Sequence, residues 1–317
     1  MKVLISEEEF ETYKDIYTSI SPDYEFMPVA SPEEALEAAP EAEVILGGPI
    51  GGEILEAAKK LRWLQVGSTG VDPIFRKWPW VRESDFIITN AKGVHGIPMA
   101  ESTLAMMLAF VRHVKEAIEQ RPNHKVIRRP PLGELAGKTI LVLGLGSVGE
   151  NTAKRAKAFD MRVIGVRRDP EQGSKFADEV HPPGKLLDLI PRADFIADTL
   201  PLTPETHHII GEKEIAAMKP TAYIFNVGRG KTIDQEALKK ALLERRIAGA
   251  GLDVFEKEPL PPEDEMWDLD NVIFTPHISG VSKSGNAPRH FQLFSENLRR
   301  FAAGEPLLNV VDKKAGY

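Results

Sequence analysis

The chain contains no cysteine among its 317 residues. That absence excludes a disulfide framework, a thiolate nucleophile and a cysteine metal site. The sequence also has no run of 18 or more apolar residues, and its first residues, MKVLISEEEF, lack the apolar stretch of a secretory signal peptide. We therefore expect a cytoplasmic protein with no membrane-spanning helix.

An excess of positive charge is missing as well, since the formal net charge is -7. This balance disfavours a general nucleic-acid or membrane-surface binder, although it leaves room for a local basic patch. No internal repeat, low-complexity segment or appended regulatory module is visible in the sequence. The length exceeds one usual hydrophobic core, which predicts two domains.

What the sequence does contain is organised around TILVLGLGSVG at 139–149. A β-type run ends in Gly144, Gly146 and Gly149, and a helical pattern follows. The first glycine allows a tight turn, the second lets backbone approach a pyrophosphate, and the third lets the helix pack on the strand. A second β-type run, Arg162 to Val166, follows at βαβ spacing, so we predict a dinucleotide site in preference to a glycine turn that only packs.

Short apolar runs alternate with helical patterns on both sides of this stretch. Such a βαβ rhythm predicts parallel sheets covered on both faces. Besides the two runs above, the predicted strands are residues 3–5, 44–46, 63–66, 86–89, 195–198, 222–226, 248–253 and 272–274.

Three other segments complete the predicted organisation. A long helix opens at Pro98 and keeps one apolar face as far as Ile118. We interpret the basic, proline-rich segment 121–138 as the crossing between domains, with a nucleic-acid arm as the alternative. The tail, 289–303, is predicted to return as a helix onto the first domain. The apolar positions are Leu104, Met107, Leu108, Val111, Val114 and Ile118 in the first helix, and Phe291, Phe294, Leu298 and Phe301 in the tail.

Three candidates for chemistry lie near the ends of predicted strands, where open α/β sheets bind their ligands. Arg229, between Gly228 and Gly230 in FNVGRGKTID, could grip a carboxylate through two parallel hydrogen bonds, but an ordinary surface turn explains it equally well. Glu258 lies in an acidic run where most side chains are solvated. His277, in NVIFTPHISG, belongs to a type that is more often structural than catalytic. Taken singly, none of the three is decisive.

Taken together, four motifs resemble the D-isomer-specific 2-hydroxyacid dehydrogenases, a family that includes glyoxylate/hydroxypyruvate reductases and phosphoglycerate dehydrogenases. The motifs are LVLGLGSVG, LPLTPETHHIIG with FNVGRG, AGLDVFEKEPLP and NVIFTPHISG, and the resemblance covers nearly the whole chain. It implies that Arg229 binds the substrate carboxylate and carbonyl, that His277 is the general acid/base, and that Glu258 holds and charges this histidine. It requires no metal.

The same resemblance implies the remaining contacts. In VGSTGVD the backbone N–H groups of Thr69 and Gly70 receive the substrate carboxylate, with Ser68 beside them. From their position near the site, Ser68, Lys92, His95 and Ser279 are candidates for contact with the substrate side chain, although Lys92 and His95 could equally be ordinary exposed loop residues. The implied cofactor-binding positions are Gly144, Leu145, Gly146, Ser147, Val148, Gly149, Arg167, Arg168, Leu200, Pro201, Thr206, Val227, Gly228, Asp253, His277 and Gly280.

The residues and the resemblance together predict an α/β fold with two doubly wound parallel-sheet domains. A larger Rossmann dinucleotide-binding domain, 99–284, is inserted into a flavodoxin-like substrate domain formed by 1–98 and 285–317. The resemblance also implies a homodimer joined through the long helix after Pro98 and its neighbours.

The choice of cofactor depends on the residues after the second strand of the nucleotide site. An acid at this point hydrogen-bonds the ribose of NAD, whereas an arginine accommodates the 2′-phosphate of NADP. Arg167 and Arg168 follow Val166, so we predict a preference for NADP over NAD. Two solvated arginines, or a shifted register that offers Asp169 to the ribose, are the alternatives.

These observations predict an NAD(P)-dependent enzyme that reduces small 2-keto acids to D-2-hydroxy acids, with glyoxylate or hydroxypyruvate as the leading substrates. One alternative is a phosphoglycerate-type dehydrogenase, which the lack of a regulatory segment after Tyr317 disfavours. Another is a dinucleotide-sensing protein without turnover, similar to the corepressors that resemble this family.

Overall fold

The computed structural model describes residues 1–47, 50–120, 132–282 and 284–316. The chain forms two compact units: the first unit comprises Met1–Val94 and Ser282–Tyr317, and the second comprises His95–Val281. Each unit contains one parallel sheet with helices between its strands. The predicted fold class is confirmed.

The elements are numbered in chain order. The strands are β1 Lys2–Ser6, β2 Glu25–Val29, β3 Val44–Leu46, β4 Trp63–Gln65, β5 Ile87–Thr89, β6 Thr139–Leu143, β7 Arg162–Val166, β8 Glu179–His181, β9 Phe195–Asp198, β10 Tyr223–Asn226, β11 Gly249–Leu252 and β12 Val272–Phe274. The helices are α1 Glu7–Ile20, α2 Pro32–Ala38, α3 Gly52–Ala57, α4 Asp72–Lys77, α5 Gly96–Val111, α6 Val114–Gln120, α7 Ser147–Ala158, α8 Leu186–Leu189, α9 Glu212–Ala216, α10 Gln235–Leu243 and α11 Asn286–Ala303.

The first unit has the strand order β2-β1-β3-β4-β5. Its C-terminal helix, α11, packs against α1, and the ring of Phe291 stacks on that of Tyr13 with centroids 4.0 Å apart. The Tyr24 hydroxyl donates to the carbonyl oxygen of Leu298 at 2.8 Å. Phe294 and Leu298 are buried. The tail therefore returns to the first part of the chain, as predicted.

Two strands were missing from the sequence-based prediction. β2 has the sequence EFMPV and lies at the edge of its sheet, where only Val29 is fully buried. β8 is three residues long, half-buried, and also at an edge. Edge strands alternate weakly between apolar and polar residues because only part of their surface faces a core, so the periodicity gave no signal.

The second unit has the strand order β12-β11-β10-β9-β6-β7-β8. β6, an inner strand of this sheet, is almost fully buried, as expected for a parallel strand with helices on both faces. In the register of the sheet, Leu143 at the end of β6 pairs with Val166 of β7 and with Asp198 of β9. The strands that precede the predicted site residues therefore end at one edge, and the order reverses at β6, where such sheets bind ligands.

The long helix predicted from Pro98 to Ile118 is divided in two, so that part of the prediction is wrong. α5 begins at Gly96 and ends at Val111; His113 then adopts a left-handed conformation (φ 53°) before α6 begins. Val114 and Ile118 do not continue the buried face, since they are 45% and 65% exposed. The predicted crossing at 121–138 lies mainly in residues 121–131, outside the described part of the chain.

Two negative observations apply to the described residues. None of their helices is both long enough and apolar enough to cross a bilayer. Their His, Asp and Glu side chains form no cluster of three or more that could hold a metal ion.

Candidate active site

The glycine turn has the geometry that its spacing predicts. Gly144 adopts φ +88°, a backbone conformation that would be strained in a residue with a side chain. A Cβ atom on Gly149 would lie 1.8 Å from the carbonyl oxygen of Gly144, so only glycine lets α7 pack this closely on the end of β6. By contrast, a Cβ atom on Gly146 would meet nothing within 4 Å. The space above Gly146 is therefore open to a ligand.

This turn fits the pyrophosphate of a dinucleotide. Gly146 is the N-cap residue of α7, and the first N–H groups of a helix have no acceptor within it. Ser147, Val148 and Gly149 carry those groups and would hold the phosphate oxygens, helped by the helix dipole. Leu145, also predicted to contact the cofactor, is buried, and its side chain packs against Gly165 of β7.

The residues after β7 are held in a defined loop. The Arg167 guanidinium donates to the carbonyl oxygen of Gly173 at 2.8 Å and to the side chain of Gln172. Arg168 is exposed. The carboxylate of Asp169 accepts from the backbone N–H of Glu171 at 3.2 Å and from Nε2 of Gln172 at 2.9 Å. Asp169 thus acts as a cap for the turn that follows.

Arg229 is half-buried and directly precedes a short 3₁₀ turn, Gly230–Thr232, that follows β10. Its Nη1 donates to the carbonyl oxygen of Gly228 at 3.0 Å. A Cβ atom on Gly230 would lie 1.9 Å from the backbone carbon of Phe255, so the turn packs directly on the backbone of the segment that leads to Glu258. The glycine after Arg229 is required by this close approach.

His277 and Glu258 form a hydrogen-bonded pair. Nδ1 of His277 lies 2.7 Å from Oε2 of Glu258. The other carboxylate oxygen of Glu258 accepts from the N–H of Phe255 at 3.1 Å, which fixes the carboxylate. The His277 side chain is 53% exposed. Because Nδ1 is engaged, Nε2 is the nitrogen available to a ligand.

The loop that carries His277 is anchored on Asp253, which is 1% exposed. The Asp253 carboxylate accepts from the Thr275 hydroxyl and from the backbone N–H groups of Ile278 and Ser279, at 2.5, 2.9 and 3.0 Å. Sequence reasoning placed this acid near the cofactor. In the structure both of its oxygens bind the histidine loop.

The other predicted residues of the second unit lie around the same strand ends. The Thr206 hydroxyl donates to the carbonyl oxygen of Pro201 at 2.6 Å, and a side chain on Gly228 would collide with the backbone of Leu200. Val227 is buried and Ser279 is 3% exposed. Nδ1 of His95 lies 3.1 Å from the carbonyl oxygen of Gly280.

The predicted substrate loop belongs to the first unit and has its own hydrogen bonds. The carbonyl oxygens of Ser68, Thr69 and Gly70 accept from Ala91 N–H, Asn90 Nδ2 and the Ser68 hydroxyl, each at 2.9 Å. Within the described chain, nothing accepts from the N–H groups of Thr69 and Gly70. The loop therefore offers donors to an anion. Lys92 is exposed.

Comparison with known proteins identifies the family. Residues 104–279 match the family model described as D-isomer specific 2-hydroxyacid dehydrogenase, NAD binding domain. The chain belongs to the D-isomer specific 2-hydroxyacid dehydrogenase family. As a member of it, the protein is an NAD(P)-dependent 2-hydroxyacid dehydrogenase with a nicotinamide dinucleotide as cofactor, and the predicted family and enzyme class are confirmed.

Two relatives and one solved structure illustrate the similarity. The dehydrogenase is 38% identical over 278 residues to the glyoxylate reductase of Korarchaeum cryptofilum, covering 85% of this chain and 82% of that one. It is 38% identical to the D-3-phosphoglycerate dehydrogenase of Methanocaldococcus jannaschii, over 88% of this chain but 53% of the relative. The NADPH-dependent glyoxylate/hydroxypyruvate reductase of Sinorhizobium meliloti, solved with NADP and sulfate, superposes with a TM-score of 0.84 at 26% identity, covering 100% and 99% of the two chains.

Sequence reasoning missed several residues of this dehydrogenase that hold the candidate site. Thr275 is one, and Asp198, Asn226 and Thr232 form a buried hydrogen-bonded group beneath the Arg229 turn. The only signal in the sequence was their position at or just after strand ends. A polar residue there is as easily solvated as buried, so its partners could not be identified before the fold was known.

Proposed function

We propose that this dehydrogenase reduces small 2-keto acids of the glyoxylate and hydroxypyruvate class to D-2-hydroxy acids, with NADPH as the preferred cofactor. The observation that carries the proposal is the His277–Glu258 pair at 2.7 Å, in the same unit as the glycine turn. A carbonyl reduction needs a proton donor, and a histidine held by a carboxylate is suited to that role.

His277 is the proposed acid. With Glu258 as acceptor, Nδ1 carries a hydrogen, and Nε2 is the nitrogen left for the substrate. In the reductive direction Nε2 gives its proton to the carbonyl oxygen, and in the oxidative direction it takes the proton back. A bound nicotinamide dinucleotide would supply the hydride that C2 receives. Glu258 keeps the imidazole ring in one orientation and one tautomer throughout.

Arg229 is the proposed ligand of the substrate carboxylate and of the carbonyl oxygen on which negative charge develops. Its guanidinium offers parallel donors, and the 3₁₀ turn fixes its backbone. The N–H groups of Thr69 and Gly70 are proposed to receive the same carboxylate. Ser68, Lys92, His95 and Ser279 remain candidates for contact with the substrate side chain.

The proposed dinucleotide-binding domain, 99–284, lies mainly in the second unit, and the proposed substrate domain, 1–98 plus 285–317, lies mainly in the first. The remaining predicted cofactor contacts, Leu145, Leu200, Pro201, Thr206, Val227, Gly228, Asp253 and Gly280, are proposed with it. The preference for NADP rests on Arg167 and Arg168 after β7. The conformation of Asp169 supports this preference. Its carboxylate, the group that would otherwise bind a ribose hydroxyl, already accepts hydrogen bonds from Glu171 and Gln172.

The substrate class rests on the glyoxylate reductases among the relatives and on the Sinorhizobium meliloti enzyme. A phosphoglycerate-type activity is the second candidate because of the Methanocaldococcus jannaschii relative. We further propose a cytoplasmic homodimer joined through α5 and its neighbours.

A spectrophotometric panel tests these alternatives. Glyoxylate, hydroxypyruvate, pyruvate and 3-phosphohydroxypyruvate are each offered with NADPH and with NADH, and the product is resolved on a chiral column. We expect the highest kcat/KM with glyoxylate or hydroxypyruvate and NADPH, and a D product from hydroxypyruvate. A preference for the phosphorylated acid would favour the phosphoglycerate-type enzyme. Dinucleotide binding without oxidation of NADPH by any of the four acids would overturn the proposed substrate class.

A further inference from the structure

The hydroxyl of Thr232 lies between two oxygen atoms inside the second unit. Its Oγ1 is 2.5 Å from Oδ2 of Asp198 and 2.6 Å from the carbonyl oxygen of Arg229. Asp198 and Thr232 are both 0% exposed. Two oxygens this close need a proton between them, and a hydroxyl has only one to give. A second proton, on the carboxyl group of Asp198, would satisfy both contacts.

The surroundings of Asp198 favour that protonated form. Its Oδ1 accepts from the N–H of Leu200 at 3.0 Å, which leaves Oδ2 as the oxygen that carries the proton. Burial raises the pKa of Asp198 to about 6, against the opposing hydrogen bonds from the Thr232 hydroxyl and the Leu200 N–H. The carbonyl oxygen of Arg229 also receives Nδ2 of Asn226 at 3.0 Å.

The elements packed against Asp198 bring few ionisable groups to it. β6 has none, and the one ionisable residue of β10, Tyr223, lies at the opposite end of that strand. Arg229 caps the 3₁₀ turn and Lys231 lies in it, and the backbone N–H of His208 donates to the carbonyl oxygen of Lys231. None of these side chains is among the causes of the shift in the pKa of Asp198.

We propose that Asp198 is a positioning residue for Arg229, acting through Thr232, and that the Asp198 proton decides which way the Thr232 hydroxyl points. With the proton present, Asp198 donates to Thr232 and Thr232 donates to the Arg229 carbonyl. Without it, the Thr232 hydroxyl turns to the carboxylate, and the Arg229 carbonyl loses that donor. The inference rests on the proposed role of Arg229 as a carboxylate ligand.

The effect extends to the neighbouring segment. Gly230, in the same turn, packs on the backbone of Phe255, and the Phe255 N–H donates to Glu258 at 3.1 Å. If the turn is held less firmly, the Arg229 guanidinium is less well positioned. The Phe255 N–H, which fixes the carboxylate of Glu258 beside His277, is then less well positioned too. The weaker binding of a carboxylate above the pKa of Asp198 is the direct consequence.

The test is carboxylate binding as a function of pH in Asp198→Asn. The amide of this variant donates to Thr232 at every pH and still accepts from Leu200. The probe is oxalate, a planar dicarboxylate, titrated calorimetrically from pH 5 to pH 8, together with KM for the best keto acid of the panel. His277 is present in both proteins. Its contribution therefore cancels when the oxalate Kd, or the KM, of the wild type is divided by that of the variant at the same pH.

We expect this ratio to be near one at pH 5 and to rise about fivefold through pH 6, roughly the worth of one hydrogen bond. Asp194→Asn is the matched control, since Asp194 directly precedes β9, at the end of the strand opposite Asp198, and binds Thr139 N–H and Lys219. It should leave the pH dependence as in wild type. A flat ratio for Asp198→Asn overturns the inference, as does a wild-type protein that does not bind oxalate.

Thermal unfolding gives a readout without activity. A folded pKa above the ordinary value means that the contribution of Asp198 to stability falls as pH rises from about 4 to about 6 and is constant above. The Tm of Asp198→Asn minus the Tm of wild type should therefore increase as pH rises over that range. No gain overturns the inference. Turnover absent for every acid, with the oxalate pattern intact, overturns only the proposed function.

If Asp198→Asn does not fold, Thr232 provides the second pair of variants. Thr232→Ser keeps the hydroxyl and should keep the wild-type pH dependence of oxalate binding. Thr232→Val removes it, so the oxalate Kd of Thr232→Val should exceed that of Thr232→Ser at pH 5 and match it at pH 8. Equal pH dependence in the two variants contradicts the inference.

Discussion

The backbone N–H of His277 donates to the carbonyl oxygen of Asp253 at 2.9 Å, and the carboxylate of the same Asp253 binds the residues on both sides of that histidine. His277 adopts a left-handed conformation, φ 54°, which is uncommon for a residue with a side chain. A buried acid at the end of β11 therefore imposes the backbone conformation that presents the imidazole.

Asp253→Asn should lower both stability and kcat. The amide can replace one carboxylate oxygen but not both, so its NH₂ group faces a backbone N–H of the histidine loop. Leaving one buried donor unsatisfied costs about 1–3 kcal/mol. We expect a lower Tm and a kcat reduced about tenfold or more, whereas Asp264→Asn, at a helix cap outside the site, should leave kcat unchanged. A wild-type kcat in Asp253→Asn would show that the anchor is dispensable.

His277→Gln should remove most turnover while leaving dinucleotide affinity nearly unchanged. Losing a positioned acid reduces the rate by a factor of about 10² to 10⁴. The measurements are kcat and the Kd of NADPH by fluorescence. The matched control is His113→Gln, because His113 also has a positive φ and also pairs with a glutamate, Glu116, at 3.0 Å. If His277→Gln keeps the wild-type kcat, His277 is not the catalytic acid.

The glycine turn could be predicted from the sequence because its residues are consecutive and each glycine answers one steric demand. The roles proposed for His277 and Glu258 came from motifs recognised together, and the structure places these two side chains in contact. The Asp198–Thr232 group could not be foreseen. These two residues are 34 positions apart, and only the register of β9 and β10 brings them together.

The division between α5 and α6 was missed for a different reason. An apolar pattern continues through Val114 and Ile118, so periodicity alone extends the helix. The break depends on the left-handed conformation of His113, which histidine does not signal in a sequence. Helix ends determined by one backbone conformation without glycine or proline are invisible to pattern reasoning.

The two reaction directions should respond oppositely to pH. Reduction uses protonated His277 and oxidation needs it neutral, so kcat/KM for the keto acid should fall as pH rises through the range where histidine loses its proton. kcat/KM for the hydroxy acid should rise over the same range. Initial rates from pH 5 to pH 9 in both directions test this. Profiles that run in parallel would contradict the role of His277.

Arg167→Asp should weaken NADPH binding and shift the preference towards NADH. The Arg167 guanidinium is held near the end of β7 by Gly173 and Gln172, where a 2′-phosphate would receive its charge. Losing a charge-assisted hydrogen bond should cost at least about 1.5 kcal/mol in NADPH affinity, and the new carboxylate would repel the phosphate. The measurement is KM for NADPH and for NADH in both proteins. Arg162→Asp, the same charge reversal at the other end of β7, should leave the ratio of the two KM values unchanged. A wild-type preference for NADH would overturn the assignment and return the ribose role to Asp169.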